Sequence, residues 1–255
     1  METNFFQILL LSLVQGISEF LPISSTAHLV LAEEFLKLKN ENLLIDISLH
    51  LGSLLAIIYY FRKDFLKYKK NLSFFYKIII ATIPLAFAGY ILSKTGLINE
   101  LRNLKVIAWS TLIFGIFLYI SDKTKSEKKI EHDFSFKNCI LIGCFQIIAL
   151  IPGVSRAAIT IIAGRFLGFN RFDSTKISFF LSIPALTIVS LFGIIKLTEK
   201  SFEFNIIVLI GTLLSFIFSY FTIKFFLNFI KNFSLNVFVI YRIILSGIIF
   251  FILYF

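Results

Sequence analysis

Charge is scarce in this chain: 16% of its 255 residues are Asp, Glu, Lys or Arg, against 58% hydrophobic residues, and the mean hydropathy is +0.89. A soluble domain of this length needs more polar surface to cover its core, so the composition excludes that class. Cysteine is scarce too. Cys139 and Cys144 stand five residues apart in an apolar segment, a spacing that indicates neither a metal site nor a disulfide framework. No Lys or Arg precedes Lys37, so the basic region of a cleaved signal peptide is missing.

Apolar runs that are long enough, with their flanks, to cross a membrane recur at residues 78–92, 106–120, 177–195, 206–227 and 235–255. About 20 apolar residues in a helix span the hydrocarbon core of a bilayer. We therefore predict an all-α polytopic membrane protein. The formal net charge is +10, but the basic residues lie in loops between the apolar runs, which is typical of membrane orientation. We expect membrane lipids and no nucleic acid as partners.

Two short polar stretches interrupt the apolar sequence, and they resemble each other. The first covers residues 15–28 (QGISEFLPISSTAH) and the second covers residues 146–160 (QIIALIPGVSRAAIT). An offset of 130 places like residues in register: Pro22 on Pro152, Ser25 on Ser155, Ser48 on Ser178 and Leu51 on Leu181. Ionisable residues at membrane depth are expensive, and here they recur at helix-breaking positions. This pattern indicates one site built by both halves of the chain.

The most polar stretch divides the chain into halves of about equal length. We predict a first membrane repeat over residues 1–120, a charged cytoplasmic connector over 121–135 and a second membrane repeat over 136–255. Each half has a broken apolar stretch followed by three longer apolar segments. Proline lacks an N–H and stops a helix, which favours a re-entrant helical hairpin in each broken stretch. Two full, kinked spans are the alternative.

Basic residues are distributed unevenly between the two sets of predicted loops. Fourteen Lys and Arg fall on one side, in loops 61–73, 121–137, 165–176 and 228–234, and seven on the other, in loops 37–42, 93–105 and 196–204. The excess places the first set in the cytoplasm and both termini outside. Three crossings is an odd number, so the second repeat is inverted relative to the first. The two hairpins then enter from opposite faces and meet near the midplane.

Gln15 and Glu19 are four residues apart, so on a helix they share one face. Their oxygen atoms suit a hard divalent cation or an oriented water, which makes both residues candidate metal ligands. An interhelical hydrogen-bonding pair is the alternative. For Glu19 we favour a catalytic role, because a carboxylate in apolar surroundings otherwise costs too much.

Ser25 and His28 follow the break at Pro22 and are three residues apart. This suits a hydroxyl nucleophile with a nearby base, or a histidine that handles protons for the leaving group. A structural, hydrogen-bonded His28 is the alternative. The neighbouring Ser24 is equally suited to capping the next helix. A further histidine, His50, is more readily interpreted as a satisfied helix residue.

The second stretch contains a turn, Pro152–Gly153–Val154–Ser155–Arg156, that opens a helix. Backbone N–H groups at a helix start beside a flexible glycine bind anions. Arg156 adds a permanent cation suited to phosphate, so Gly153, Ser155, Arg156 and Thr160 are the candidate phosphate-binding residues. With Glu19, Ser25 and His28, Arg156 is also a candidate catalytic residue. A structural salt bridge between Arg156 and Glu19 is the alternative.

Taken together, the two stretches resemble the undecaprenyl-diphosphate phosphatase family, the bacitracin-resistance proteins of bacterial inner membranes. That family carries an acidic motif, (E/Q)-x-x-x-E, which Gln15 and Glu19 match. Its second motif, P-G-x-S-R-S-x-x-T, matches residues 152–160 except at Ala157, where the family pattern has Ser. Further similarity extends over the whole chain, at residues 143–146, 178–184 and 240–242.

The resemblance implies hydrolysis of undecaprenyl diphosphate to undecaprenyl phosphate and inorganic phosphate, which recycles the lipid carrier for cell-wall synthesis and gives bacitracin resistance. It also implies a multi-pass protein of the bacterial inner membrane, an active site that faces the periplasm, and a divalent cation, Mg²⁺ or Ca²⁺. It leaves a homo-oligomer open. Three departures affect detail: Gln15 removes one carboxylate, Ala157 removes a hydroxyl, and Lys176 stands where similar proteins usually carry Glu.

Two other classes compete with this interpretation. The membrane acid-phosphatase type needs a histidine six residues after its Ser-Arg pair, and position 162 is Ile, so that class is excluded. A polyprenyl-phosphate transporter or flippase without hydrolase activity remains as the alternative, because inverted repeats around a midplane site are the usual architecture of secondary transporters. Transport alone does not require Glu19, Ser25 and His28 together.

Overall fold

The computed structural model describes residues 5–35, 42–68, 72–197 and 202–254. Within these ranges the regular structure is helical, and the β-type pairing is limited to an isolated bridge between Lys128 and Phe169. The all-α prediction is confirmed. Two of the predicted loops extend outside the described residues: residues 37–41 of the loop 37–42, and residues 198–201 of the loop 196–204.

The helices occur in a similar order in the two halves. The first half contains α1 (Phe5–Ser18), α2 (Ser25–Phe35), α3 (Asn42–Tyr68), α4 (Leu72–Thr95), the short α5 (Leu97–Leu101) and α6 (Leu104–Asp122). The second contains the short α7 (Ile130–Asp133), α8 (Phe136–Gln146), a 3₁₀ turn (Ile147–Leu150), α9 (Arg156–Phe166), α10 (Arg171–Leu197), α11 (Phe202–Asn232) and α12 (Asn236–Tyr254).

Five helical segments of the described chain are long and apolar enough to cross a membrane: Leu72–Thr95, Leu104–Asp122, Arg171–Leu191, Ile206–Asn232 and Asn236–Tyr254. They contain, wholly or in large part, the five apolar runs predicted from the sequence. Large apolar side chains such as Phe87, Leu209 and Phe251 are about two-thirds exposed on these helices. An apolar exterior of this kind is suited to lipid, and the chain is a multi-pass membrane protein.

The two halves interleave instead of packing side by side. α1 packs on α11, α3 on α10 and α11, α4 on α8, and α6 on α12. Glycines allow the closest approaches: a Cβ at Gly52 would overlap the carbonyl oxygen of Thr212, and a Cβ at Gly143 would overlap that of Ala81. Small residues at helix interfaces let backbones approach closely in membrane proteins.

Both predicted breaks are present, and each is followed by a serine that caps the next helix. Ser24 (φ 76°) and Ser155 (φ 73°) are the non-glycine residues of positive φ in the described chain. The Ser24 hydroxyl accepts from Ala27 N at 3.3 Å, and the Ser155 hydroxyl accepts from Ala158 N at 3.2 Å. A left-handed conformation costs a non-glycine residue about 1–2 kcal/mol, so the surrounding contacts must hold both turns in place.

The offset of 130 is therefore wrong by one residue within the turns. The structural counterpart of Ser155 is Ser24, and that of Ser25 is Arg156, the first residue of α9. The cause is local: two residues separate Pro152 from Ser155, whereas one separates Pro22 from Ser24. The two halves thus place chemically different side chains, a hydroxyl and a guanidinium, at the same point of the same turn.

Gly143→Ala should destabilise the fold, because the added methyl group meets the backbone of α4, with Ala81 Cα at 2.9 Å. Overpacking of this kind costs about 1–3 kcal/mol. Gly247→Ala is the matched control, since no atom lies within 4 Å of its added Cβ and the gain in helix propensity is the same. Thermal unfolding in detergent should show a lower Tm for Gly143→Ala and no loss for Gly247→Ala. Equal Tm values would contradict the close α4–α8 contact.

Candidate functional site

The first turn is the segment between α1 and α2. Glu19 lies in it, immediately after α1, and is 7% exposed. The Arg156 guanidinium donates to Oε1 at 3.1 Å, and the Ser25 hydroxyl donates to Oε2 at 2.8 Å. Gln15, one helical turn earlier, donates to Oε2 at 3.2 Å. His50 Nε2 lies 3.7 Å from Oε2. The carboxylate therefore connects both broken helices of the chain with α3.

Arg156 is held from both sides. Its Nη2 bonds Glu19, and its Nη1 donates to the carbonyl oxygen of Ser178 on α10 at 3.0 Å. The Glu19–Arg156 salt bridge, which the sequence left as an alternative for this arginine, is thus present. Thr160 supports the arrangement indirectly: its buried hydroxyl lies 2.8 Å from Arg156 O and 2.7 Å from Ser178 Oγ.

The second turn, which precedes α9, is closely packed against α6. Gly153 has φ +91°, and a Cβ there would overlap the Ser110 hydroxyl, so this position requires glycine. The Ser155 hydroxyl is 8% exposed and occupied as the helix cap. The predicted phosphate-binding residues therefore lie together in and after this turn: Gly153, Ser155, Arg156 and Thr160. The Arg156 side chain reaches the first turn, where it contacts Glu19.

His28 does not pair with Ser25 in the structure. Its Nδ1 lies 2.7 Å from the carbonyl oxygen of Ser24, and its Nε2 lies 2.5 Å from the hydroxyl of Tyr241 on α12. The base within reach of the Ser25 hydroxyl is the Glu19 carboxylate. The expected Ser25–His28 pairing is replaced because α2 begins at Ser25 and its first turn directs His28 toward α12.

Arg242 on α12 holds the two turns together, and sequence reasoning assigned it no role. Its side chain is 0% exposed, and it donates to Pro22 O in the first turn at 3.2 Å and to Gly153 O in the second at 2.9 Å. A third bond reaches Thr111 O at 3.2 Å. No carboxylate pairs with it in the described part of the chain. A lone arginine in an otherwise apolar span is the sequence signal that could have identified it.

His50 is the second residue that the sequence undervalued. Its Nδ1 lies 2.5 Å from the carbonyl oxygen of Asp46 on the same helix, as a satisfied helix histidine would. Its other nitrogen nevertheless approaches the Glu19 carboxylate. Only the packing of α3 against the first turn brings this about, and no spacing in the sequence indicates it.

Gln15 and Glu19 offer a partial oxygen site for a cation. Gln15 Oε1 is buried and has no hydrogen-bond partner, and it lies on the same amide group that bonds the Glu19 carboxylate. The described residues contain no cluster of three or more His, Cys, Asp or Glu side chains that could hold a metal ion. One carboxylate with one amide oxygen suits a Mg²⁺ ion that takes its other ligands from phosphates and water.

These features define an integral membrane protein with a buried ionic site where two interrupted helices meet. A family model described as "Bacitracin resistance protein BacA" matches residues 8–249, and the chain belongs to this family. It is 57% identical to the undecaprenyl-diphosphatase of Pelagibacter ubique (strain HTCC1062) over 255 residues, which is 100% of both chains.

Similarity extends to more distant bacteria. The chain is 39% identical to the undecaprenyl-diphosphatase of Saccharophagus degradans over 249 residues, covering 93% of this chain and 94% of the relative. It is 35% identical to undecaprenyl-diphosphatase 2 of Stutzerimonas stutzeri over 262 residues, covering 96% and 97%. The resemblance identified from the two motifs is confirmed.

Arg242→Lys should lower both stability and turnover, because an ammonium keeps the charge but lacks the fork that reaches both turns. Each buried carbonyl left without a donor costs about 1–3 kcal/mol. Arg62→Lys is the matched control, since that guanidinium is exposed and bonds Tyr59 O on its own helix. Tm and phosphate release are measured for both variants. If Arg242→Lys behaves like the control, Arg242 does not hold the turns together.

Proposed function

We propose that this protein hydrolyses undecaprenyl diphosphate to undecaprenyl phosphate and inorganic phosphate, and so recycles the lipid carrier for cell-wall synthesis and confers bacitracin resistance. The full-length similarity to proteins named undecaprenyl-diphosphatase supports this activity. The observation that carries the chemistry is the buried contact of Arg156, Glu19 and Ser25, because it brings together a phosphate ligand, a base and a hydroxyl. No observation favours the transporter alternative.

Substrate binding and base activation are coupled in this proposal. A phosphate oxygen of the diphosphate competes with Glu19 for the Arg156 Nη2, while Nη1 keeps its bond to Ser178 O. Charge-assisted hydrogen bonds from arginine to phosphate are strong, and the diphosphate carries more negative charge than one carboxylate. Glu19 then loses its charge partner in a buried site and becomes more basic. Its Oε2 already accepts from the Ser25 hydroxyl, so Glu19 is placed to take that proton.

Ser25 then attacks the terminal phosphorus. The bond between Ser25 Oγ and phosphorus forms, the bridging P–O bond breaks, and the lipid monophosphate leaves. Water subsequently hydrolyses the phosphoserine and releases inorganic phosphate. Attack by an activated water without a covalent step is the alternative, with Glu19 again as the base. We assign His28 to proton transfer at the leaving group, with Tyr241 as its hydrogen-bond partner.

We also propose that a divalent cation, Mg²⁺ or Ca²⁺, assists the reaction. Gln15 Oε1 and Glu19 are the protein atoms that would hold it, and the diphosphate would complete its ligands. When bound, the ion supplies positive charge that neutralises the diphosphate oxygens. The support for this assignment is the buried, unpartnered oxygen of the Gln15 amide, whose nitrogen donates to the Glu19 carboxylate.

We propose further that the two halves are inverted repeats in the inner membrane, with the site open to the periplasm. Each half contributes one broken helix pair and three long helices: α3, α4 and α6 in the first, and α10, α11 and α12 in the second. An odd number of crossings inverts the second half. The fourteen-to-seven excess of basic residues in one set of loops supports the orientation.

Purified protein should release inorganic phosphate from polyprenyl diphosphates, and EDTA should suppress the release. Ser25→Ala should lower kcat by roughly 10³-fold or more while substrate binding is retained, because Arg156 remains. Thr26→Ala is the matched control, since this neighbouring side chain is exposed. Near-normal turnover in Ser25→Ala would discard the covalent route, and full activity in EDTA would remove the cation.

Single cysteines test the orientation. In a protein whose exposed Cys144 is replaced by Ala, Lys125→Cys in the connector should react with an impermeant thiol reagent from the cytoplasmic side only. Glu100→Cys in α5 should react from the periplasmic side only. The protein without an added cysteine is the control, because Cys139 is buried. Labelling of both positions from the same side would contradict the topology.

A further inference from the structure

A cavity of about 670 Å³ lies where α3 and α11 end and α10 begins. Three lysines line it: Lys176 on α10, and Lys224 and Lys231 on α11. Asp64 on α3 also lines the cavity and accepts from Lys176 at 2.7 Å. This basic pocket takes no part in the reaction described above.

Buried phenylalanines separate the basic pocket from the candidate active site. Phe61 lines the pocket, is 2% exposed, and packs edge-to-face on Phe179 with ring centroids 6.3 Å apart. Phe179 also packs on Phe20, with ring centroids 5.3 Å apart, and Phe20 is the residue next to Glu19. Because all three rings are almost fully buried, the pocket is a distinct site and not an extension of the first.

The charges of the pocket are unbalanced. Lys176 is paired with Asp64, whereas Lys224 and Lys231 have no carboxylate partner among the described residues, and Lys231 lies 5.4 Å from the ring of Phe172. The four side chains sum to a formal charge of +2. Lys224 stands eight residues before the end of α11, about 12 Å along the helix axis. A charged ammonium group this far from the helix end costs free energy in a membrane, unless it reaches the membrane–water interface or pairs with an anion.

The surroundings of Lys224 are suited to a lipid. Phe221 and Phe225 line the same pocket and are 60% and 58% exposed, so their rings border the space that lipid chains occupy. The pocket therefore combines ammonium groups with exposed aromatic rings. Basic pockets between helices bind lipid phosphates.

We propose that the basic pocket binds the phosphomonoester head group of a membrane lipid, with the lysines on the phosphate and the chain along Phe221 and Phe225. A phosphomonoester carries close to two negative charges at neutral pH, which matches the +2 of the pocket. A phosphodiester carries one. The pocket is thus selective for lipids that end in a free phosphate group.

The test uses an Arg156→Ala background, so that the candidate active site contributes no phosphate binding. Native mass spectrometry measures binding of phosphatidic acid, of phosphatidylglycerol with the same chains, and of inorganic phosphate. The double substitution Lys224→Gln, Lys231→Gln should weaken binding of phosphatidic acid about thirtyfold, which is about fivefold per lysine. The control is the double substitution Lys123→Gln, Lys125→Gln, which removes the same charge at exposed positions. It should leave binding of phosphatidic acid unchanged. Asp64→Asn should tighten binding of phosphatidic acid, because it removes the negative charge from the pocket lining.

Unchanged binding of phosphatidic acid in the Lys224→Gln, Lys231→Gln protein would overturn the site, as would an equal loss in the Lys123→Gln, Lys125→Gln control. Equal affinity for phosphatidylglycerol would overturn the preference for a phosphomonoester. If inorganic phosphate binds as tightly as phosphatidic acid, the acyl chains of the lipid contribute nothing to affinity, and the lipid assignment is overturned. Asp64→Asn gives an independent reading, since a gain in affinity does not result from misfolding.

Discussion

The ion pair between Glu19 and Arg156 is the contact on which the rest of the site depends. Removing one partner of a buried pair costs about 3–5 kcal/mol, because the other charge is left without compensation. The carboxylate comes from the first broken helix and the guanidinium from the second, 137 residues later. The pair thereby holds two turns of irregular backbone against each other, with both charged side chains largely buried in the protein.

Hydrogen bonds from guanidinium groups to backbone carbonyls fix the geometry of this pair. Arg242 spans the carbonyl groups of both turns from α12, and Ser178 orients the guanidinium of Arg156 from α10. In the proposed mechanism, one bond of this preorganised pair, from Arg156 Nη2 to Glu19, is exchanged for a bond to a phosphate oxygen. The bonds from Arg242 and from Arg156 Nη1 to backbone carbonyls are separate from it and are retained.

The sequence predicted the helical class, the five apolar spans and the two helix breaks, since proline and hydrophobic run length act locally. It also brought Glu19, Ser25 and Arg156 into one candidate site, because ionisable residues within apolar sequence are costly and concentrate where they bind or react. The Ser25–His28 pairing was wrong, since the cap at Ser24 sets the direction of the first turn of α2 and sends His28 to Tyr241. The contacts of His50 and Arg242 depend on how α3 and α12 pack, and residue spacing in the sequence does not indicate that packing.

The most direct test of the account is whether a diphosphate displaces Glu19 from Arg156. Ser25→Ala protein, which keeps both charged residues, can be mixed with a methylene-bridged polyprenyl diphosphonate that is not hydrolysed. Infrared difference spectra then report the carboxylate stretch, with the Ser25→Ala, Glu19→Gln protein as the reference. We predict a shifted carboxylate band that disappears in the reference. An identical difference spectrum in both proteins would show that Glu19 keeps its partner, and would contradict the coupling between substrate binding and base activation.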